Sequence, residues 1–149
     1  MNDPAQDDDL RVLVLGRSPP LPGFRHAFPA TPSELAPLRA RLREWLQRAG
    51  VDSEQVDATI LSVSEAAANA IEHGLRFDLS GIVTVVASVG EDGTVDVSVA
   101  DHGSWREPHV HDDRGRGLRI IEAVMDDVSV ERLSAGTVVR MGLRPRAGR

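Results

Sequence analysis

The chain has 149 residues, of which 41% are hydrophobic and 27% charged, and a net charge of −6. That balance suits an ordinary globular domain with its own core, and the acidic excess argues against sequence-independent nucleic-acid binding, which rests on neutralising phosphates. There is no cysteine, and all 17 basic residues are arginine, which removes disulfides, thiolate metal sites, the Walker lysine, the strand lysine of a eukaryotic-type kinase and a Schiff-base amine.

No apolar run approaches the roughly 20 residues that span a bilayer. The opening Met1-Asn2-Asp3-Pro4 lacks the basic and apolar regions of a signal peptide. A cytoplasmic location without membrane attachment is therefore expected. Residues 1–22 read as a flexible N-terminal segment. Asp7-Asp8-Asp9 is a solvated acidic run, Ser18-Pro19-Pro20-Leu21-Pro22 is an extended linker, and residues 11–15 between them are a candidate edge strand.

Residues 23–30 read as a strand leading into a helix. Thr31-Pro32-Ser33-Glu34 has the hydroxyl, proline and glutamate of a capping box. The apolar stripe behind it is Leu35, Leu38, Leu42, Trp45, Leu46 and Ala49, with Gly50 as the stop and Pro37 as a bend in the first turns. A second helix is expected from about Ser53 to His73, capped by Asp52 or Ser53 and ended by Gly74. Residues 82–89 are almost wholly apolar, as in a strand covered on both faces. Residues 90–93 form a hairpin loop. Residues 94–100 alternate, with Val95, Val97 and Val99 on one side and Thr94, Asp96 and Ser98 on the other. A polar loop then reaches Arg116. A short helix over 118–125 carries Leu118, Ile121, Val124 and Met125. Strands over 128–132 and 137–143 flank a turn at 133–136. Residues 23–144 are thus one domain, and 145–149 a mobile tail. Strands arriving in antiparallel pairs, with helices to cover them, give an α+β class. The expected architecture is a two-layer sandwich, a mixed and mostly antiparallel sheet covered on one face.

The second helix carries the chemistry. At about 100° per residue, Val56, Ile60, Val63, Ala67, Ala70 and Ile71 share one arc, the core face. Glu65, Asn69 and His73 lie on nearly the opposite side at i, i+4 and i+8, and Ala66 and Ala68 leave room beside them for a ligand. Taken alone, such a stripe is ordinary solvated surface. Three further pieces change its weight. Asp101-His102-Gly103 ends an alternating strand, where a carboxylate can accept from a ring amino group and glycine lets the ring approach. Arg114-Gly115-Arg116-Gly117-Leu118 is a Gly-x-Gly turn opening a helix, where backbone N–H groups and arginines suit phosphate. Gly136-Thr137 opens the last strand with a hydroxyl. His109-Val110-His111 has the look of a metal pair but no third or fourth ligand, so it reads as solvated loop.

In this order the pieces resemble the N box, G1 box, G2 box and final Gly-Thr of the GHKL (Bergerat-fold) ATPase and kinase superfamily. Within it, the chain is similar to the stand-alone anti-sigma factor kinases of bacteria. Glu65-Ala66-Ala67-Ala68-Asn69-Ala70-Ile71-Glu72-His73-Gly74 is the most specific match, and the likeness covers roughly residues 24–144. The resemblance implies ATP and Mg²⁺ as ligands. It implies Glu65 as general base, Asn69 as the Mg²⁺ ligand, Asp101 on the adenine amino group, and Gly103 as space for the base. It implies Gly115 and Gly117, with Leu118 beside them, as the phosphate lid, and Thr137 on the adenine side. Arg114 and Arg116 are added here as γ-phosphate or partner contacts, and His73 as a helix-end residue. One departure is plain: Ser104 and Trp105 follow Gly103, so the second glycine of the G1 pattern is missing.

The implied function is phosphorylation of a serine or threonine on an anti-anti-sigma (STAS) protein, joined to sequestration of a sigma factor. The alternative is a nucleotide-binding, partner-switching module without phosphotransfer. Similar kinases are often dimers, which makes a homodimer a further expectation. A sensor histidine kinase domain fits less well, because position 65 is glutamate rather than asparagine.

Overall fold

The computed structural model describes residues 23–74, 81–102, 114–134 and 136–146. The expectations for the segment before residue 23, including its edge strand, lie outside the described residues, as does that for the tail end beyond 146.

Five strands form one sheet: β1 (Phe24–Pro29), β2 (Ile82–Val89), β3 (Val95–Asp101), β4 (Asp127–Leu133) and β5 (Gly136–Leu143). Their order is β1-β2-β3-β5-β4, and every described pairing is antiparallel. Among the described residues, three α-helices accompany them: α1 (Leu35–Arg48), α2 (Ser53–Asn69) and α3 (Arg114–Val124). The two-layer α+β sandwich read from the sequence is the observed fold.

The start of α1 departs from expectation. Pro32–Glu34 is a 3₁₀ turn, and Thr31 makes no side-chain cap bond. The Glu34 N–H goes instead to the Thr31 carbonyl at 3.1 Å, and the Thr31 hydroxyl faces that of Ser33 at 3.3 Å. Pro37 supplies the reason. It has no N–H for the Ser33 carbonyl and its ring crowds that group, so the first turn tightens instead of closing as α. The end of α1 follows expectation. The Val51 N–H reaches the Leu46 carbonyl and the Gly50 N–H the Gln47 carbonyl, each at 3.1 Å, with Gly50 at φ 77°. This is a Schellman ending.

Helix α2 is capped by Asp52, whose carboxylate accepts from the Gln55 N–H at 2.9 Å. The buried Gln55 amide donates onward to the carbonyls of Gly93 and Leu143 at 3.1 and 3.3 Å. That ties the start of α2 to the β2–β3 loop and the end of β5. At the other end the helix widens into a π turn over Ala70–Gly74, a form often found at functional sites. The expected core arc is buried throughout, from Val56 to Ile71. It meets Leu38, Leu42 and Leu46 of α1, the valines of β2 and β3, and Ile121 of α3.

Strand β2 corrects a second expectation. Val83, Val85 and Ala87 are buried, but Ile82 and Val86 on the other face are 43% and 38% exposed. That face is largely open among the described residues, although Thr84 on it is only 7% exposed. The apolar run reflects the fit of β-branched residues to a pleated strand, not burial on two sides.

His26 of β1 belongs to the covered face. Its ring stacks on Phe28 at 5.3 Å and tilts against Phe24 at 6.4 Å, and its Nε2 is buried without a hydrogen-bond partner. Loss of hydration, then the nearby Arg41 cation, lowers its pKa below 6.5, with Glu34 opposing. A depressed histidine stabilises the fold above its unfolded pKa, and this contribution is lost as pH falls through the folded value. We expect the urea midpoint to drop from pH 8 to pH 5.5 by more in the wild type than in His26→Phe. Equal drops in the two proteins would remove His26 from the acid response.

Candidate nucleotide site

The site is built where α2, α3 and the ends of β3, β4 and β5 converge. Strand alternation sets its floor. Val95, Val97 and Val99 point toward the helices, so Asp101 two residues on points the same way. It is 7% exposed. The β3–β5 register ends with Ala100 opposite Val138, one residue short of Asp101, and β4 sets Arg132 opposite Thr137. The Thr137 backbone N–H donates to Asp101 Oδ1 at 3.2 Å.

Gly136 is forced at this point. It sits at φ 149°, and a Cβ there would overlap the Asp101 carbonyl oxygen and stand 2.8 Å from Oδ1. Only a glycine lets β5 begin this close to the end of β3.

Above the floor, a small solvent-open hollow of about 50 Å³ is lined by Ala66, Asn69, Ala70, Val99, Asp101, Leu118, Val130, Arg132, Thr137 and Val139. Its volume is below that of a typical small-molecule site, but its lining has the character of one: mostly apolar walls with a few placed polar groups. Ala66 of α2 lines the hollow as expected, Ala70 of the π turn joins it, and Ala68 does not. Glu65 lies one turn before Asn69 on the outer stripe of α2, half-buried and outside the lining.

Helix α3 begins four residues earlier than expected. Arg114–Gly117 is its first turn rather than a loop before it. Glycine is tolerated there because the first-turn N–H groups have no helical partner to lose. Gly117 also has a packing role. A Cβ on it would overlap the Asn69 side-chain nitrogen and lie 3.2 Å from Asn69 Cγ. The start of α3 therefore rests directly on the Asn69 amide.

The structure thus gathers Asn69, Asp101, Leu118 and Thr137 around one hollow, with Gly117 against Asn69, whereas Glu65 is not on the lining. Gly115 lies in the same first turn of α3, as do the backbones of Arg114 and Arg116. The described residues do not include Gly103, Ser104, Trp105, His109 or His111, nor the side chain of His73. Arg132 was missed in the sequence. The signal was there: Val128, Val130 and Arg132 alternate with polar residues, so Arg132 shares the face of the two valines.

A larger groove of about 630 Å³ lies on the other side of the sheet, between Val86, Ser88, Asp96, Ser98, Asp127 and Arg140. It is shallower and holds none of the candidate residues. Partial burial, then the carboxylates of Asp92 and Asp127, raise the pKa of Asp96 there. Carboxylates crowding one another would repel a nucleotide's phosphates.

The family model of the histidine kinase-like ATPase domain matches residues 28–143. The chain belongs to this family. Curated relatives place it among the anti-sigma factor kinases. It is 30% identical over 116 residues to an anti-sigma F factor of Heyndrickxia coagulans, covering 69% of this chain and 79% of the relative. It is 30% identical over 126 residues to the serine-protein kinase RsbW of Bacillus subtilis, covering 74% and 78%. Among solved structures, the RsbU and RsbW domains of a Mycobacterium tuberculosis protein superpose with a TM-score of 0.70 at 31% identity. That match covers 86% of this chain but only 33% of the other.

For this histidine kinase-like ATPase the donor set can be weighed against Mg²⁺. Among the described residues there is no cluster of three His, Cys, Asp or Glu side chains that would hold a metal. Mg²⁺ on a nucleotide needs none, since it keeps waters and takes only one or two protein ligands beside phosphate oxygens. The amide oxygen of Asn69, at the hollow and next to the start of α3, fits that requirement.

Proposed function

We propose that this chain is a protein kinase that binds ATP-Mg²⁺, phosphorylates a serine or threonine of an anti-anti-sigma (STAS) protein and sequesters a sigma factor. The observation that supports this reading is that Asn69, which shares one stripe of α2 with Glu65, lines a hollow together with Asp101 and Thr137. Membership of a family that includes named serine-protein kinases supports it.

In this reading Asp101 accepts a hydrogen bond from the adenine amino group, and the apolar walls hold the ring. Asn69 would hold Mg²⁺, which would offset the negative charge of the phosphates. The N–H groups of Gly115 and Gly117 face the phosphates from the start of α3, with Arg114 and Arg116 as further contacts and Gly103 beside the base. Glu65 takes the proton of the attacking hydroxyl. That oxygen then bonds to the γ-phosphorus as the bond to the bridging oxygen of ADP breaks. Sigma factor, STAS protein and ATP are all cytoplasmic, so the cytoplasm is the proposed place of action, and a homodimer the proposed active unit. No described helix is long and apolar enough to cross a membrane.

The test is transfer of labelled γ-phosphate from ATP to a purified STAS protein. Labelled serine or threonine supports the kinase. Calorimetric ATP binding with no transfer would move the assignment to a partner-switching module. Asp101→Asn keeps the shape of the side chain and an acceptor for the Thr137 N–H but loses the charge. We expect it to weaken ATP about 10- to 100-fold, the worth of a hydrogen bond to a charged group. An unchanged Kd would remove Asp101 from the base.

A further inference from the structure

Arg132 is an unused cation on the wall of the nucleotide hollow. The register sets it opposite Thr137, whose N–H donates to Asp101 Oδ1, and all three residues line the same hollow. With adjacent strands about 4.8 Å apart, its backbone stands roughly 10 Å from that of Asp101. A flat ring held by its edge at Asp101 and lying over Thr137 therefore ends under the Arg132 side chain.

The charge is also unspent. Other arginines near this end of the chain are paired: Arg140 with Glu131 at 2.6 Å, Arg144 with Asp126 at 3.6 Å and Arg146 with Glu54 at 3.8 Å. Arg132 has no ion pair or hydrogen bond among the described residues. The alternation of β4 makes the difference. Glu131 points to the open face and finds Arg140 there, whereas Arg132 points into a hollow whose walls are mostly aliphatic. A planar guanidinium with no carboxylate paired to it among the described residues, beside an apolar slot, suits the face of an aromatic ring. The phosphate-binding elements, Asn69 and the start of α3, lie on the helix layer. Arg132 lies on the sheet, opposite Thr137.

We propose that Arg132 is a base-binding residue whose guanidinium stacks on the face of the adenine held at its edge by Asp101. This rests on the nucleotide reading of the site and extends it. The contact adds affinity for the base whatever the length of the phosphate chain.

The experiment is calorimetry on the full chain with adenosine, ADP-Mg²⁺ and ATP-Mg²⁺, for the wild type, Arg132→Ala and Arg132→Lys. Arg132→Ala should weaken all three ligands by one common factor, about 3- to 10-fold. Arg132→Lys, which keeps the charge but loses the plane, should fall between the two. Arg132 is exposed, so unchanged urea midpoints are expected and would show that the fold is intact. Two results overturn the proposal: no change for any ligand, or a loss for ADP and ATP with adenosine unaffected, which would make Arg132 a phosphate contact. A wild type that binds none of the three defeats the nucleotide reading itself. Binding by the wild type with no effect of the substitutions defeats only the role of Arg132.

Discussion

Glu65→Gln should lower transfer of the γ-phosphate to a STAS protein by about 10²- to 10⁴-fold, the usual worth of a positioned general base. The same substitution should leave the Kd for ATP-Mg²⁺ within a few-fold, because Glu65 is not among the residues lining the hollow. Folding should be little affected. Glutamine matches glutamate in shape and helix propensity, and Glu65 lies on the outer stripe of α2, away from the buried arc of Val56, Ile60 and Val63. A second carboxylate on the same helix gives the comparison. Glu54, in the first turn of α2 and 3.8 Å from Arg146, is eleven residues and so roughly 16 Å away. Glu54→Gln should transfer phosphate at the wild-type rate. Undiminished transfer by Glu65→Gln would mean that the proton goes elsewhere. Loss of transfer together with loss of ATP binding would instead make Glu65 a ligand-holding residue.

The parts of this site that could be read from the sequence are those governed by a repeat along the chain. The 3.6-residue period of α2 separated Val56, Ile60, Val63 and Ala67 from Glu65 and Asn69, and the structure keeps them apart. The two-residue period of β3 put Asp101 on the buried side. The failures share a different cause: each depended on a contact made by something distant or unlike its neighbours. Thr31 had the letters of a capping box, but Pro37 removed the N–H that an α turn needed. The residues of β2 were apolar on both faces, yet helices cover only one. Gly115 and Gly117 read as a loop, whereas Gly117 is helical and bare of Cβ because α3 packs on Asn69. That approach joins residues 48 positions apart, and no local pattern announces it. Arg132 was legible in principle through its alternation with Val128 and Val130. Its meaning required the register that sets it beside Thr137.

Register also makes Gly136 the most sensitive glycine near the site. Gly136→Ala should destabilise the protein by about 2 kcal/mol or more, since overpacking costs about 1–3 kcal/mol and the positive φ adds strain. The added carbon would overlap the Asp101 backbone oxygen, which cannot rotate away as a flexible side chain could. Relief therefore requires β5 to move off β3 where the Thr137 N–H meets Asp101 Oδ1 at 3.2 Å. Movement there displaces the carboxylate assigned to adenine, so ATP affinity should fall along with the urea midpoint. Gly50 separates the two components of the cost. It too has a positive φ, 77°, but nothing lies within 4 Å of a Cβ placed on it. Gly50→Ala should cost only the conformational part, about 1 kcal/mol, and leave ATP binding unchanged. If both alanine variants lose the same stability and both bind ATP like the wild type, the close approach of Gly136 to Asp101 does not shape the pocket. If Gly136→Ala alone loses affinity, the start of β5 is what holds Asp101 in place for the base.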